Sequence, residues 1–142
     1  MISLEKQSVE LIKEQAAEEY PNECCGVLLG KINSDRIKIV EELLPVSNAR
    51  EQSASHNRFL ITADEIFKCE QLARKKKLDI LGFYHSHPDH PASPSEYDLA
   101  HALPFYSYVI VSVLKGQAAD LTSWELEDDR SRFNPEHIFL GE

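Results

Sequence analysis

The sequence contains no long hydrophobic run. Hydrophobic residues make up 42% of its 142 positions, but charged residues interrupt each apolar stretch before it reaches the roughly 20 residues of a membrane-spanning helix. Near the start, Glu5, Lys6 and Glu10 separate the apolar residues, which is not the pattern of a secretory signal peptide. We therefore expect a globular protein that has no membrane as its partner.

The sequence also contains few basic residues relative to acidic ones. The chain has 15 lysine and arginine residues against 24 aspartate and glutamate residues, for a net charge of −9. Nucleic acids and anionic membranes bind basic surfaces, so we expect neither as the main partner. The three cysteines are an odd number and do not suggest a disulfide framework, which favours a location in the reducing cytoplasm. Nothing in the sequence indicates the oligomeric state.

Helical and strand patterns alternate along the whole chain, without a repeat, a linker or a low-complexity tract. This mixture predicts a single α/β domain over residues 1–142, in which a mixed sheet lies between helices on both faces. The polar tail is expected to add an edge strand or to pack on the surface. The predicted helices are 3–20, 62–77 and 95–103, and the predicted strands are 24–30, 36–44, 80–87, 105–114 and 118–126.

Two histidines at the end of the apolar strand 80–87 mark the candidate site. Alternate side chains of a strand share a face, so His85 and His87 are expected to point the same way. The prolines after them lead to Ser95, which fits a helix N-cap, with Asp98 three residues later. This turn would bring the Asp98 carboxylate back toward the histidines. Two histidines and one aspartate leave a tetrahedral zinc ion one open position, as in catalytic zinc sites.

The spacing of these residues resembles a known signature. His85-x-His87-Pro88, seven residues from His87 to Ser95 and two more to Asp98 are similar to the motif of the JAMM (MPN-plus) metallopeptidases. These zinc enzymes cut peptide or isopeptide bonds at the C-terminal glycine of ubiquitin and ubiquitin-like proteins. The family also has a glutamate at the start of its first strand, and Glu23 occupies the matching position.

The resemblance implies a role for each matching residue. His85, His87 and Asp98 would be the zinc ligands. Glu23 would be the base that takes a proton from water and passes it to the leaving amine. Ser95 would stabilise the oxyanion of the tetrahedral intermediate, a role that would compete with helix capping for the same hydroxyl. The implied fold is a curved sheet between helices, of the type shared with the cytidine deaminases.

The resemblance also suggests a substrate class. The compact length and the sequences around Glu23 and His87 look like bacterial and archaeal members of the family. Some of these remove an amino acid or peptide from the C-terminus of a ubiquitin-like sulfur-carrier protein, which is the leading expectation here. Release of a ubiquitin-like modifier from a conjugate is the second. A non-catalytic binding scaffold is the third, although every ligand position is filled. We further expect the polar loop 45–57 to order over the bound tail of the substrate.

Another metal pattern overlaps the same residues. His85-Ser86-His87-Pro88-Asp89-His90 also matches His-x-His-x-Asp-His of the metallo-β-lactamase fold, in which Asp89 and His90 would hold a second metal. That fold is larger than this chain and needs further histidine ligands at downstream strand ends. Only His101 and His137 follow in the sequence, and neither is expected in such a setting. The adjacent Cys24 and Cys25 must face opposite sides of a strand. We expect both to be buried as small apolar residues rather than to bind metal.

Overall fold

The computed structural model describes residues 1–46 and 61–141. Within these ranges the chain forms eight strands and three helices. In chain order they are β1 (Ile2–Glu5), α1 (Lys6–Glu19), β2 (Cys25–Ile32), β3 (Lys38–Val46), α2 (Ala63–Lys75), β4 (Asp79–Pro88), α3 (Glu96–His101), β5 (Ser107–Leu114), β6 (Gln117–Leu126), β7 (Phe133–Glu136) and β8 (Ile138–Gly141). No helix in the described ranges has the length and apolar character needed to span a membrane.

All eight strands belong to one mixed sheet with the order β7-β6-β5-β4-β2-β3-β1-β8. The central strand β4 pairs antiparallel with β2 and parallel with β5. The edge strands β7 and β8 are separated in the chain by His137 alone. Because two residues span at most about 7 Å, the sheet must curl until its edges approach each other at that end. The predicted curved sheet is confirmed.

Helices cover both faces of this sheet, as the sequence predicts. On one face, α1 buries Ile12 and Ala16 against side chains of β2, β4 and β5. On the other face, α2 and α3 pack over Val27 of β2 and Phe83 of β4. Strand β4 is therefore buried along most of its length, and it is the element on which the candidate site is built.

The predicted helix 3–20 is wrong at its N-terminal end, since residues 2–5 form strand β1. Ile2 and Leu4 are fully buried and alternate with more exposed neighbours. Four residues are too few to separate this alternation from the start of an amphipathic helix. The strand exists because β3 and β8 flank it on both sides. The predicted loop 45–57 also begins too early, because β3 extends to Val46; its remaining residues lie outside the described ranges.

A polar cluster, buried except for the partly exposed Glu125, occupies the end where the sheet closes. The Lys38 ammonium donates to Ser107 Oγ at 2.8 Å and lies 3.4 Å from a carboxylate oxygen of Glu125. Ser123 Oγ donates to the buried Glu136 carboxylate at 2.7 Å. We call these five residues the closing cluster. They come from β3, β5, β6 and β7, so the cluster joins distant parts of the sheet.

Candidate metal centre

Strand β4 places the two histidines on one face. His85 and His87 are both buried, and their Nε2 atoms lie 3.1 Å apart. The same face carries Phe83, which packs under α2 and α3. The strand can lie so close to β5 because it has glycine at position 82. A Cβ atom there would collide with the backbone carbonyl of Ser107.

Helix α3 brings the third residue to this face. Ser95 is its N-cap, and its Oγ accepts a hydrogen bond from the backbone N–H of Asp98 at 3.1 Å. Asp98 Oδ2 in turn accepts from the backbone N–H of Ser95 at 2.8 Å, which completes a capping box. The carboxylate is thus held in a fixed orientation. Its Oδ1 lies 3.2 Å from His85 Nε2, and its Oδ2 lies 3.2 Å from His87 Nε2.

These three side chains fit a zinc ion. Zinc–ligand bonds of about 2.0–2.1 Å in a tetrahedron give ligand-to-ligand distances of about 3.3 Å. The two Nε2 atoms are 3.1 Å apart, each lies 3.2 Å from a different oxygen of the Asp98 carboxylate, and all the ligand atoms lie within 4.8 Å of one another. Two imidazoles and one carboxylate are also a donor set that zinc favours, and they leave a fourth position open. In the ranges that the structure describes, His85, His87 and Asp98 are the group of residues able to hold a metal ion.

Electrostatics favour a positive charge at this point. Burial acts to raise the pKa of Asp98, but the charge of His85 and the hydrogen bonds from both histidines outweigh it and hold that pKa well below its usual range. Burial lowers the pKa of His85. Burial also acts to lower the pKa of His87, but its bonds to Asp98 and to the Pro91 carbonyl outweigh this, so that its pKa is raised. The ionised carboxylate attracts either a proton or a metal cation to the imidazole nitrogens.

Glu23 lies just before β2, the strand that pairs with β4 at His85. It is buried and stands two residues before Cys25, the cross-strand partner of His85. Its negative charge contributes to the raised pKa of His87. The start of β2 is attached to β4 through Ser86, whose Oγ accepts from the Cys24 N–H at 2.8 Å. Ser86 was not among the residues predicted for the site; its position between two histidines, facing the opposite side of β4, was the available signal.

Ser95 caps its helix with a lone pair rather than with its proton. Its Oγ is the acceptor in the bond from the Asp98 N–H. A hydroxyl group has one proton to donate in addition to its lone pairs. Capping uses a lone pair and donation to a substrate oxygen would use the proton, so the two roles do not exclude each other as the sequence had led us to expect.

Asp89 and His90 do not join the metal-binding group. The Asp89 carboxylate is exposed and accepts hydrogen bonds from the Tyr20 hydroxyl at 2.6 Å and from the Lys115 N–H at 2.8 Å. The bond from Tyr20 is the largest cause of the lowered pKa of Asp89. His90 is exposed. The Asp89 carboxylate thus holds the loop after β4 in place. This role argues against the dinuclear pattern, in which Asp89 would bind a second metal ion.

Both cysteines next to Glu23 are buried, as predicted. Cys24 packs in the core beneath α1, whereas Cys25 pairs with His85 on the neighbouring strand. Burial raises the pKa of the Cys24 thiol to about 11 and that of Cys25 to about 12. Both are therefore protonated at neutral pH, and neither is available as a thiolate nucleophile.

Comparison with known proteins identifies the family. The family model of prokaryotic homologs of the JAB domain matches residues 5–127. The chain belongs to this family. Solved structures that share its fold include a JAB1/MPN domain protein of Archaeoglobus fulgidus, with 20% identity and a TM-score of 0.58. Another, described as a JAMM metalloprotease-like zinc site in the proteasome and signalosome, has 19% identity and a TM-score of 0.57. The JAMM resemblance and the predicted fold are thus confirmed.

Several other proteins are more similar in sequence. The desampylase of Haloferax volcanii is 36% identical over 102 residues, which cover 70% of this chain and 69% of that protein. The CysO-cysteine peptidase of Mycobacterium tuberculosis is 30% identical over 124 residues, which cover 87% of this chain and 81% of the peptidase. Tail tip assembly protein K of Escherichia phage N15 is 30% identical over 97 residues, but the match spans only 35% of that longer protein. The match to the solution structure of a protein from Desulfitobacterium hafniense covers 100% of this chain and 94% of that chain, with 33% identity and a TM-score of 0.85.

Proposed function

We propose that this chain is a zinc-dependent peptidase that hydrolyses the bond after the C-terminal glycine of a ubiquitin-like protein, foremost a sulfur-carrier protein. The observation that carries the proposal is the convergence of two imidazoles and one carboxylate at 3.1–3.2 Å, within a family that includes peptidases. The relative called CysO-cysteine peptidase supports the choice of a carrier with one added amino acid.

In this proposal His85, His87 and Asp98 hold the zinc ion. Bound there, zinc would polarise the scissile carbonyl and lower the pKa of water to about 7. The burial of all three side chains keeps competing water away from the charges and strengthens the interactions among them. The capping box holds the carboxylate before any ligand arrives, so little reorganisation is needed on binding.

In this proposal Glu23 transfers the proton, and Ser95 stabilises the negative charge that develops on the substrate. Glu23 accepts a proton from the attacking water and returns it to the amine nitrogen as the carbon–nitrogen bond breaks. The Ser95 hydroxyl donates a hydrogen bond to the carbonyl oxygen while negative charge develops there. The burial of Glu23 and the effect of its charge on the pKa of His87 support this assignment, as does the use of a Ser95 lone pair for capping.

A second function is favoured by one relative. The match to a desampylase at 36% identity supports the release of a ubiquitin-like modifier from a conjugate, in which the leaving amine is a lysine side chain. The same catalytic groups would serve both reactions, because a peptide bond and an isopeptide bond differ only in the carbon chain attached to the nitrogen. The two functions therefore differ in how the leaving group is held.

One cleavage assay tests both functions. A ubiquitin-like sulfur carrier that ends in two glycines is prepared with one extra C-terminal cysteine, and also joined through its last glycine to a lysine side chain. We expect the zinc-loaded protein to remove the cysteine, as read by the mass of the carrier. Cleavage should stop after treatment with a chelator and return with added zinc. If the lysine conjugate alone is cut, the second function is correct; if neither is cut, the proposal is contradicted.

A further inference from the structure

The loop after β4 is attached to the body of the protein at both ends. At its start, Asp89 accepts hydrogen bonds from the Tyr20 hydroxyl and from the Lys115 N–H, and its own N–H donates to the Val113 carbonyl at 2.6 Å. Three separate parts of the fold thus hold one exposed residue: the C-terminal end of α1, the end of β5 and the turn after it. We call residues 89–92 the β4–α3 loop.

The other end of the β4–α3 loop is held from β6. Thr122 Oγ1 donates to the Ala92 carbonyl at 2.6 Å, and the Trp124 indole N–H donates to the same Thr122 oxygen at 2.8 Å. Ala92 is buried, whereas the neighbouring Pro91 is exposed. The backbone next to Pro91 is therefore fixed by a side chain that lies 30 positions from Ala92 in the sequence.

Between the two attachments, the loop presents a carbonyl group to His87. The Pro91 carbonyl oxygen lies 2.9 Å from His87 Nδ1. Because a carbonyl can only accept, Nδ1 must carry the proton of this bond. In the neutral imidazole, the lone pair is then on Nε2, the atom that faces His85 and Asp98. The loop thereby determines both the tautomer and the orientation of the ring.

We propose that the β4–α3 loop is a positioning element for the metal centre, in which Tyr20 and Thr122 hold the Pro91 carbonyl in place so that His87 presents Nε2 to the ion. The hydroxyls of Tyr20 and Thr122 bond to the loop and not to the ligand atoms. Their effect passes through the backbone of the loop. The inference rests on the proposed function insofar as that function assigns a metal ion to His87.

A backbone carbonyl can orient a ligand only while its loop is held. Groups that hydrogen-bond to a metal-binding histidine change metal affinity or activity by about 10–100-fold when they are removed. Here the direct partner is a main-chain oxygen, which no substitution can delete. The side chains that hold the loop are therefore the accessible way to test it. If these bonds only stabilised the fold, removing them would lower the stability of the protein and leave the metal affinity of the site unchanged.

The test compares Zn²⁺ affinity and Co²⁺ absorption spectra across a small set of variants. Tyr20→Phe combined with Thr122→Val removes both side-chain hydroxyls that hold the loop and keeps the side-chain shapes. Thr122→Ser keeps the hydroxyl. Ser123→Ala is the matched control, since it also removes a hydroxyl bond on β6, but one to Glu136 of the closing cluster. Zn²⁺ affinity is measured by competition with a chromophoric chelator.

We expect the double variant to bind Zn²⁺ at least about tenfold more weakly and to show a shifted Co²⁺ spectrum. Thr122→Ser and Ser123→Ala should both match the wild type in these two properties. If the double variant does not fold, Tyr20→Phe alone should still weaken binding relative to Ser123→Ala. Equal affinities and spectra, with a lower melting temperature only, overturn the inference. A wild type that binds no Zn²⁺ contradicts the proposed function and this inference with it.

Discussion

At the scale of single residues, the site separates the groups that would hold a metal ion from the group that would move a proton. Glu23 is buried and its charge acts to raise the pKa of His87, yet it is not part of the His85, His87 and Asp98 group. It lies just before β2, whereas the other three come from β4 and α3. A change at Glu23 can therefore affect proton transfer and leave metal binding intact.

The variant Glu23→Gln tests this separation. Glutamine has nearly the same size but cannot accept a proton, so turnover of the cysteine-extended carrier should fall by about 10²–10⁴-fold. Zinc content should remain equal to that of the wild type. Steady-state rates are measured by mass spectrometry alongside metal analysis. Turnover near the wild-type rate would show that Glu23 is not the base, and loss of zinc would show that it is a ligand.

The residues of the site differ in how far the sequence could predict them. The approach of Asp98 to the histidines can be predicted from local rules, namely strand alternation and a helix cap a few positions further along the chain. The place of Glu23 depends on the pairing of β2 with β4, elements that a helix and a strand separate in the chain. Only the family resemblance pointed to it. The Pro91 carbonyl belongs to the backbone, so no residue type marks it in the sequence.

At the scale of elements, the short helix α3 is stabilised by the residues that form the site. Ser95 and Asp98 make its capping box, so the capping that starts the helix also orients a candidate ligand. Helix α2 offers a natural comparison. Its N-cap is Thr62, whose side chain accepts from the Glu65 N–H at 3.2 Å, and neither residue belongs to the candidate metal centre.

The pair of variants Ser95→Ala and Thr62→Ala separates capping from catalysis. Each should lower the free energy of unfolding by about 1 kcal/mol, the usual effect of losing a helix cap. Only Ser95→Ala should also reduce turnover, by about 10²–10³-fold, because it removes a proposed oxyanion donor. Chemical denaturation and carrier cleavage provide the two readouts. Equal turnover in the two variants would leave Ser95 with a capping role only.

The position of β4 in the sheet depends on Gly82. A Cβ atom at this residue would collide with the Ser107 carbonyl of β5, whereas one at Gly141 of β8 would make ordinary contacts at 3.8 Å. We expect Gly82→Ala to lower the free energy of unfolding by about 3 kcal/mol, the upper end of the usual range for overpacking. Gly141→Ala should have little effect. Similar denaturation midpoints for the two variants would contradict this account of β4.

Elements with strong local patterns could be predicted from the sequence, and β1 could not. The capped helix α2 and the apolar strands β4 and β5 carry their signals within a few residues. The four residues of β1 become a strand because β3 and β8 lie on either side of them. Their partners come from distant parts of the chain, which no local window contains.

At the scale of the whole molecule, the closing cluster ties the two ends of the curved sheet together. Burial acts to raise the pKa of Glu136, but hydrogen bonds from Ser107 and Ser123 and the charge of Lys38 outweigh it and hold that pKa below its ordinary value. The pKa of Glu125 is instead raised, first by burial and then by the negative charge of Glu136. The Lys38 and Glu136 side chains are buried, whereas Glu125 is partly exposed at the rim of the cluster.

The lowered pKa of Glu136 predicts a loss of stability in acid. A carboxyl group whose pKa is lower in the folded chain stabilises the fold above its ordinary value of 4.5 and loses that contribution as the pH falls through the folded value. Glu125 acts in the opposite direction, because its pKa is raised in the folded chain: its ionisation lowers stability as the pH rises above 4.5. Metal-free Glu136→Gln should therefore lose less stability as the pH falls below 4.5 than the metal-free wild type. Parallel denaturation midpoints over this window would exclude Glu136 as the cause.

The metal content of the purified chain tests whether His85, His87 and Asp98 bind zinc. Zinc per chain is measured after dialysis for the wild type, Glu23→Gln and His87→Ala. We expect one zinc ion per chain in the first two proteins and none in the third. A wild type without zinc would favour a non-catalytic scaffold, and two ions per chain would restore the dinuclear pattern with Asp89 and His90. Full zinc occupancy in His87→Ala would contradict the ligand assignment itself.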